Sequence, residues 1–140
     1  MARIMAIDYG TKRCGLAVTD PLQIVPGGLA AVATSELFAY IERYLNQEEV
    51  ESIVIGEPLH ADGTPTQLHA QVVGLRRKLL KAFPGLRVVL QDERYTSAEA
   101  REVIRLSGAR RKKRRDKALV DQVSAVLILR DYLEERGRHA

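Results

Sequence analysis

Several residue and segment types are scarce in this sequence, and each absence excludes a class of protein. A single cysteine, Cys14, excludes an intramolecular disulfide. Every apolar run is much shorter than the roughly 20 residues that a membrane-spanning helix needs, so we expect no membrane partner. The first residues contain neither the apolar core of a secretory signal nor an arginine-rich transit pattern. We therefore expect a cytoplasmic protein.

Charge is abundant, and it is unevenly placed. The 140 residues, 46% of them hydrophobic, suit one compact domain over 1–140. Residues 110–117, RRKKRRDK, carry a local charge of +6, whereas the whole chain carries +4. Such a run repels itself when packed, so we expect a mobile loop that either keeps the protein soluble or binds a densely negative partner. Nucleic acid is the commoner reason for so dense a run, because neutralised phosphates release condensed counterions.

Hydrophobic periodicity predicts a mixed α/β order. Strands are predicted at 3–7, 15–19, 28–33, 52–55 and within 84–94, and helices at about 34–47, up to 83, from 96 or 97, and over 117–135. Gly10 and Gly15 supply the backbone freedom for the first turn, and Thr34 or Ser35 is the predicted cap of the first helix. This order implies one mixed sheet with helices on its faces and leaves the strand order open.

Three acidic residues lie where acids are unusual. Asp8 and Glu93 each follow a buried strand, at the end where α/β sheets place ligand sites. Asp121 has only small or apolar neighbours three and four residues away in its helix, so it points towards the protein body. Simpler roles remain open: Asp8 could cap a turn, and Glu93 or Asp92 could pair with Arg94.

If these acids converge, their mutual repulsion requires a compensating cation. Carboxylate oxygens are typical ligands of Mg²⁺ or Mn²⁺. The histidines His60, His69 and His139 are scattered and lack zinc-site spacing, so we interpret them as loop or surface residues. Two divalent ions held by carboxylates can activate water and stabilise a leaving oxygen at phosphorus. The predicted chemistry is phosphodiester hydrolysis.

Four segments resemble one known family in its own order: IDYGTKRCGLAVTD, IGEPLHADGT, DERYTSAEA and KALVDQVSAVLILRDYL. They are similar to the bacterial YqgF family, also called RuvX, relatives of the RuvC Holliday-junction resolvases. The resemblance implies a ribonuclease H-like α/β fold, with a five-stranded mixed sheet whose first three strands are antiparallel, flanked by helices. It also implies a cytoplasmic nuclease that processes the 5′ end of pre-16S rRNA, with Asp8, Glu93 and Asp121 as its catalytic, metal-binding triad.

Substrate contacts are then expected from cations near the triad. Lys12 and Arg13 would meet phosphates, and Arg94 would either clamp a phosphate or pair with Asp92. The loop at Gly63 and the basic segment would grip the flanking strand through phosphate contacts that are largely independent of sequence. The basic residues expected to make these contacts are Arg110, Arg111, Lys112, Lys113, Arg114, Arg115 and Lys117.

Two positions depart from the family pattern, and several alternatives stay open. Glu57 stands where the family has leucine, as an extra ligand or a solvent-facing residue, and Cys14 is interpreted as a small buried apolar residue. The substrate could instead be a Holliday junction or single-stranded DNA, and the protein could be a binding module without catalysis. The length argues against a sugar-kinase-like ATPase, which needs two related domains around its nucleotide. A monomer and a homodimer are both compatible with the sequence, and the few aromatic residues give little basis for base stacking.

Overall fold

The computed structural model describes residues 2–94, 96–107 and 117–138, and its strands and helices follow the predicted order. The strands are β1 (Arg3–Asp8), β2 (Arg13–Thr19), β3 (Pro26–Ala33), β4 (Val50–Glu57) and β5 (Arg87–Asp92). The helices are α1 (Leu37–Gln47), α2 (His69–Ala82), α3 (Thr96–Leu106) and α4 (Lys117–Arg138). Within these described ranges, no helix combines the length and the apolar character that a membrane crossing requires.

The five strands form one mixed sheet in the order β3-β2-β1-β4-β5. β1 pairs antiparallel with β2, and β2 pairs antiparallel with β3. β1 and β5 each pair parallel with β4. The predicted fold, a five-stranded mixed sheet with its first three strands antiparallel, is confirmed. Because β1, β4 and β5 run in the same direction, their carboxyl ends lie at one edge of the sheet.

Alternation along the strands divides the core between the two faces of the sheet. Met5 and Ile7 of β1 belong to a cluster that includes residues of α1 and α2, such as Ile41 and Leu79. Ile4 and Ala6 face the other way, into a cluster with Ala125, Ile128 and Leu129 of α4. Each fully buried Leu or Ile contributes about 1.5–3 kcal/mol to stability. The predicted burial of Cys14 is confirmed.

Two local predictions about the first elements are wrong. β2 begins at Arg13, two residues before the predicted start at Gly15, so the turn ends earlier than predicted. α1 begins at Leu37, after a 3₁₀ turn over Thr34–Glu36, and neither Thr34 nor Ser35 caps it. The Thr34 hydroxyl instead donates to the Gly10 carbonyl at 2.7 Å, which ties the β1–β2 turn to the start of the helical segment. A local cap pattern cannot reveal this competing long-range partner.

Candidate active site

Asp8 and Glu93 approach each other across the end of an intervening strand. Asp8 ends β1 and Glu93 follows β5, while β4 lies between these two strands. Gly56 of β4 makes their contact possible, because a Cβ atom at this position would lie 2.6 Å from Glu93 Cδ and 2.8 Å from Ile128 Cδ1. The missing side chain leaves the space that the Glu93 carboxyl group occupies.

A second glycine brings the third acid to the same place. Gly15 of β2 is the register partner of Asp8 on β1. A Cβ atom at Gly15 would overlap the Asp121 carbonyl and lie 2.9 Å from the backbone nitrogen of Gln122. The first turns of α4 therefore cross β2 in backbone contact, and this close approach brings Asp121 near enough to Asp8 for the two charges to repel.

Burial raises the pKa of both strand-end acids, so that the pair retains one proton at neutral pH. Burial is the main cause that raises the pKa of Asp8 from 3.8 to about 6, a hydrogen bond from Glu93 opposes the rise, and repulsion from Asp121 adds to it. The pKa of Glu93 rises from 4.5 to about 10, first through burial and then through the charge of Asp8. At neutral pH, protonated Glu93 donates a hydrogen bond to ionised Asp8.

Asp121 has a cation of its own. Arg13, the first residue of β2, donates its Nε–H to Asp121 Oδ2 at 2.5 Å, and the two side chains are 37% and 20% exposed. Arg13 thus holds Asp121 in position. The terminal amino groups of Arg13 have no partner among the described residues, so they can bind another anion. Lys12, beside it in the turn, is exposed.

The donor set of this cluster fits a hard divalent cation. Among the residues that the structure describes, no Arg or Lys pairs with Asp8 or Glu93. Within the same ranges, no three His, Cys, Asp or Glu side chains stand in a ready metal-binding arrangement. Glu93 donates to Asp8, and Asp121 faces Arg13. Removal of one proton and a small turn of Asp121 would leave only oxygen donors, which Mg²⁺ and Mn²⁺ prefer.

Of the two roles predicted for Arg94, the structure shows the ion pair with Asp92. Arg94 pairs with Asp92 at 2.8 Å, and its Nη1 donates to the Ala61 carbonyl at 3.3 Å. The loop it contacts has local hydrogen bonds of its own: Asp62 accepts from the backbone and hydroxyl groups of Thr64, and Gly63 has a φ of +88°. Arg94 therefore braces the loop that was expected to grip substrate. Its role as a phosphate clamp stays a prediction.

Glu57 and His69 form a pair that sequence reasoning missed. Glu57 ends β4 and its Oε2 lies 2.9 Å from Nε2 of His69, the first residue of α2. Both side chains are partly buried, at 30% and 23% exposure. His69 is therefore not a free loop or surface residue. Its only sequence signal is an acid at a strand end and a histidine at a helix start, and nothing local connects the two.

Most of the predicted basic loop lies beyond the described ranges. Arg110, Arg111, Lys112, Lys113, Arg114 and Arg115 are outside the described residues. Lys117 is described: it is the first residue of α4, and it is exposed. Asp121 follows Lys117 one turn later in the same helix.

Comparison with known proteins gives consistent matches over nearly the whole chain. A family model described as "RuvX: Holliday junction resolvase" matches residues 2–135. A protein of Christiangramia forsetii named "Putative pre-16S rRNA nuclease" is 45% identical over 135 residues, covering 96% of this chain and 100% of its own length. A protein of the same name from Porphyromonas gingivalis is 46% identical over 138 residues, covering 99% and 100%.

A solved structure supports the fold. RuvC of T. thermophilus, in complex with a Holliday junction substrate, superposes with a TM-score of 0.54 at 19% identity, covering 91% of this chain and 92% of RuvC. At this identity the likeness bears on the fold alone, and it agrees with the ribonuclease H-like sheet expected from the sequence. The family match and the full-length relatives go further, and they establish that this chain belongs to the RuvX family.

Proposed function

We propose that this nuclease hydrolyses phosphodiester bonds of pre-16S rRNA at its 5′ end, with Mg²⁺ or Mn²⁺ held by Asp8, Glu93 and Asp121. Membership of the RuvX family makes the chain a hydrolase of nucleic acid. The observation that carries the metal-site proposal is the partly buried Asp8–Glu93 pair, which shares a proton and has no cationic partner in the described part of the chain. Buried carboxylates without a cation are costly, and a divalent ion would remove that cost.

The side chains around the cluster would prepare it for substrate. Divalent ions, when bound, supply an activated water and stabilise charge on the leaving oxygen. Asp8 and Glu93 contribute carboxylate oxygens once the proton between them is lost, and Gly56 preserves the space in which they meet. Arg13 orients Asp121 through Nε and can present its terminal amino groups to a phosphate. Lys12 adds a second exposed cation in the same turn.

The choice of RNA rests on the relatives and on the basic segment. Curated proteins 39–46% identical over nearly the whole chain carry the pre-16S rRNA nuclease name. The +6 charge of residues 110–117, next to the start of α4, suits the dense phosphates of ribosomal RNA. We infer a cytoplasmic enzyme whose activity resides in the single domain 1–140.

A cleavage panel tests the function and the site together. The purified protein is incubated with Mn²⁺ and three end-labelled substrates: a pre-16S rRNA 5′ fragment, a four-way DNA junction and single-stranded DNA. We expect the RNA to be cut, and we expect Asp8→Asn to reduce the rate by a factor of at least about 10³ while thermal unfolding shows an intact fold. Asp131→Asn, which changes an acid paired with Arg130 elsewhere on α4, is the matched control and should cut normally.

The same panel decides between the alternatives. The family description, Holliday junction resolvase, favours a DNA junction as the second candidate substrate. Preferential cutting of the junction would replace the RNA assignment and keep the site. Binding without cutting, with every metal tried, would make the protein a nucleic-acid-binding module. Undiminished cutting by Asp8→Asn would refute the site.

A further inference from the structure

α2 carries positive charge only. Its fourteen residues, HAQVVGLRRKLLKA, include Arg76, Arg77, Lys78 and Lys81 and contain no Asp or Glu. Arg76 is used structurally, since its Nε donates to the Val88 carbonyl at 2.9 Å. In the part of the chain that the structure describes, no carboxylate pairs with Arg77, Lys78 or Lys81, and all three are exposed. The basic character of the protein is therefore not confined to residues 110–117.

One of these cations, Lys78, lines a surface groove. The groove has a volume of about 250 Å³ and lies between α2 and the start of α1. Tyr9 lines its inner end, and Tyr9 follows Asp8 directly in the chain. Because side chains alternate, Tyr9 opens on the α1–α2 face while Asp8 points to the α4 face. A strand leaving the acidic cluster can thus cross the sheet edge and enter the groove.

The polar groups of the groove suit a ribonucleotide backbone. The Tyr9 hydroxyl is 3.2 Å from Gln71 Oε1, and Ser35 adds a hydroxyl on the opposite wall. Lys78 Nζ is held 4.2 Å from the ring centroid of Phe38, which positions the ammonium group without neutralising it. Glu36 lies on the neighbouring 3₁₀ turn but does not line the groove. A cation with neutral hydroxyl and amide groups favours phosphate and ribose over a cationic or apolar ligand.

A helix glycine keeps the groove open. Gly74 lies in the middle of α2 and lines the groove, and a Cβ atom there would have no neighbour within 4 Å. A glycine inside a helix costs about 1 kcal/mol relative to alanine. No packing contact in the described structure requires glycine here, and the missing side chain leaves free space over the groove. Gln71, Gly74, Lys78 and Lys81 follow at spacings of three and four, so they share one face of α2.

We propose that the groove between α1 and α2, with its stripe of Gly74, Lys78 and Lys81, binds the single-stranded backbone of the substrate on one side of the cleavage site. This inference rests on the proposed nuclease function. It adds a second binding surface, here called the track, on the opposite face of the sheet from Asp8. The contacts are made to phosphate and ribose, so they are independent of base sequence.

Binding without cleavage tests the track by itself. The probe is a fluorescein-labelled single-stranded RNA of about 12 nucleotides, within the usual site size of single-strand-binding folds. Fluorescence anisotropy is measured in EDTA, so that no cutting occurs. The variant Lys78→Gln/Lys81→Gln should bind roughly ten- to thirtyfold more weakly at about 0.1 M salt, with a log–log salt slope smaller by about 1.4. The control Arg43→Gln/Arg87→Gln removes the same charge from α1 and from the opposite end of β5, and it should bind like the wild type.

A steric variant tests the groove without changing charge. Gly74→Phe fills the space, and it should weaken binding roughly tenfold or more. Gly137→Phe is the matched control, because Gly137 is also a helix glycine with no neighbour within 4 Å of a Cβ atom. Thermal unfolding of each variant checks that the fold is retained.

The outcomes separate this inference from the proposed function. Equal RNA affinity and salt slope in the charge variant and its control, or normal binding by Gly74→Phe, would overturn the track even if the wild type cuts RNA. A wild type that fails to cut, with both groove variants still weakened in binding, would overturn the proposed function and keep the track. Loss of affinity for single-stranded DNA equal to that for RNA would keep the phosphate contacts and refute the ribose contacts.

Discussion

Replacing Glu93 with glutamine tests the proton that this residue shares with Asp8. Glutamine has nearly the same shape and can donate the same hydrogen bond to the Asp8 carboxylate, but it cannot ionise. In the metal-free protein, burial raises the pKa of Glu93 from 4.5 to about 10. Between pH 6 and 8 the folded state therefore keeps a proton that the unfolded state has lost, and the stability of the wild type falls as pH rises.

The size of the effect follows from one proton. A difference of one bound proton changes the free energy of unfolding by about 1.4 kcal/mol per pH unit. Asp8, whose pKa is about 6, adds little to the slope above that pH. From pH 6 to 8 the wild type should therefore lose about 3 kcal/mol relative to Glu93→Gln. Titrations common to both proteins cancel in the difference.

Urea unfolding in EDTA at pH 6, 7 and 8 measures this difference. The control is Glu42→Gln, an exposed glutamate on α1, which should follow the wild type at every pH. Added Mn²⁺ should stabilise the wild type more at pH 8 than at pH 6, because metal binding displaces the proton, and it should stabilise Glu93→Gln much less. Parallel pH profiles for the wild type and Glu93→Gln would refute the shared proton and the reasoning built on it.

Three further changes address packing around the cluster. Gly15→Ala should destabilise the fold by at least about 1–3 kcal/mol, because its methyl group overlaps the Asp121 carbonyl; a urea midpoint equal to that of the wild type would contradict the close crossing of α4 over β2. Ile128→Ala removes a fully buried side chain and should cost about 2–5 kcal/mol by the same assay, and a loss below about 1 kcal/mol would show that the α4 face is loosely packed. Thr34→Val removes the hydroxyl that donates to the Gly10 carbonyl and should cost about 1 kcal/mol; hydrogen exchange should quicken in the β1–β2 turn, and unchanged exchange there would argue against this tie.

Strand ends were predictable because their signals are local. The continuous apolar run of β1 ends at Asp8, and the polarity of the segment after β5 marks Glu93, so both acids could be assigned to one sheet edge once parallel strands were assumed. The small and apolar helical neighbours of Asp121 predicted that its side chain points towards the protein body. Whether these three residues bind metal remains a prediction, to be decided by the cleavage and stability measurements.

Contacts between distant residues were not predictable in this way. Thr34 has the sequence context of a helix cap, yet its hydroxyl is taken by Gly10, twenty-four residues earlier. His69 looked solitary until α2 brought it against Glu57. Which group a side chain bonds depends on how the strands and helices pack. A hydroxyl such as that of Thr34 can bond a local backbone group or a distant one, and packing determines which of the two is within reach.

The sequence by itself determined the order of elements, the two apolar faces of the sheet and the residues with unusual charge, because periodicity and residue chemistry act over a few neighbouring positions. Only the tertiary structure decided that Gly56 and Gly15 open the space in which the acids approach, that Arg13 faces Asp121, and that Tyr9 and α2 border a groove on the opposite face. These features arise where chain segments far apart in sequence come within contact distance, and the chain direction and register that create the contacts are properties of the whole sheet.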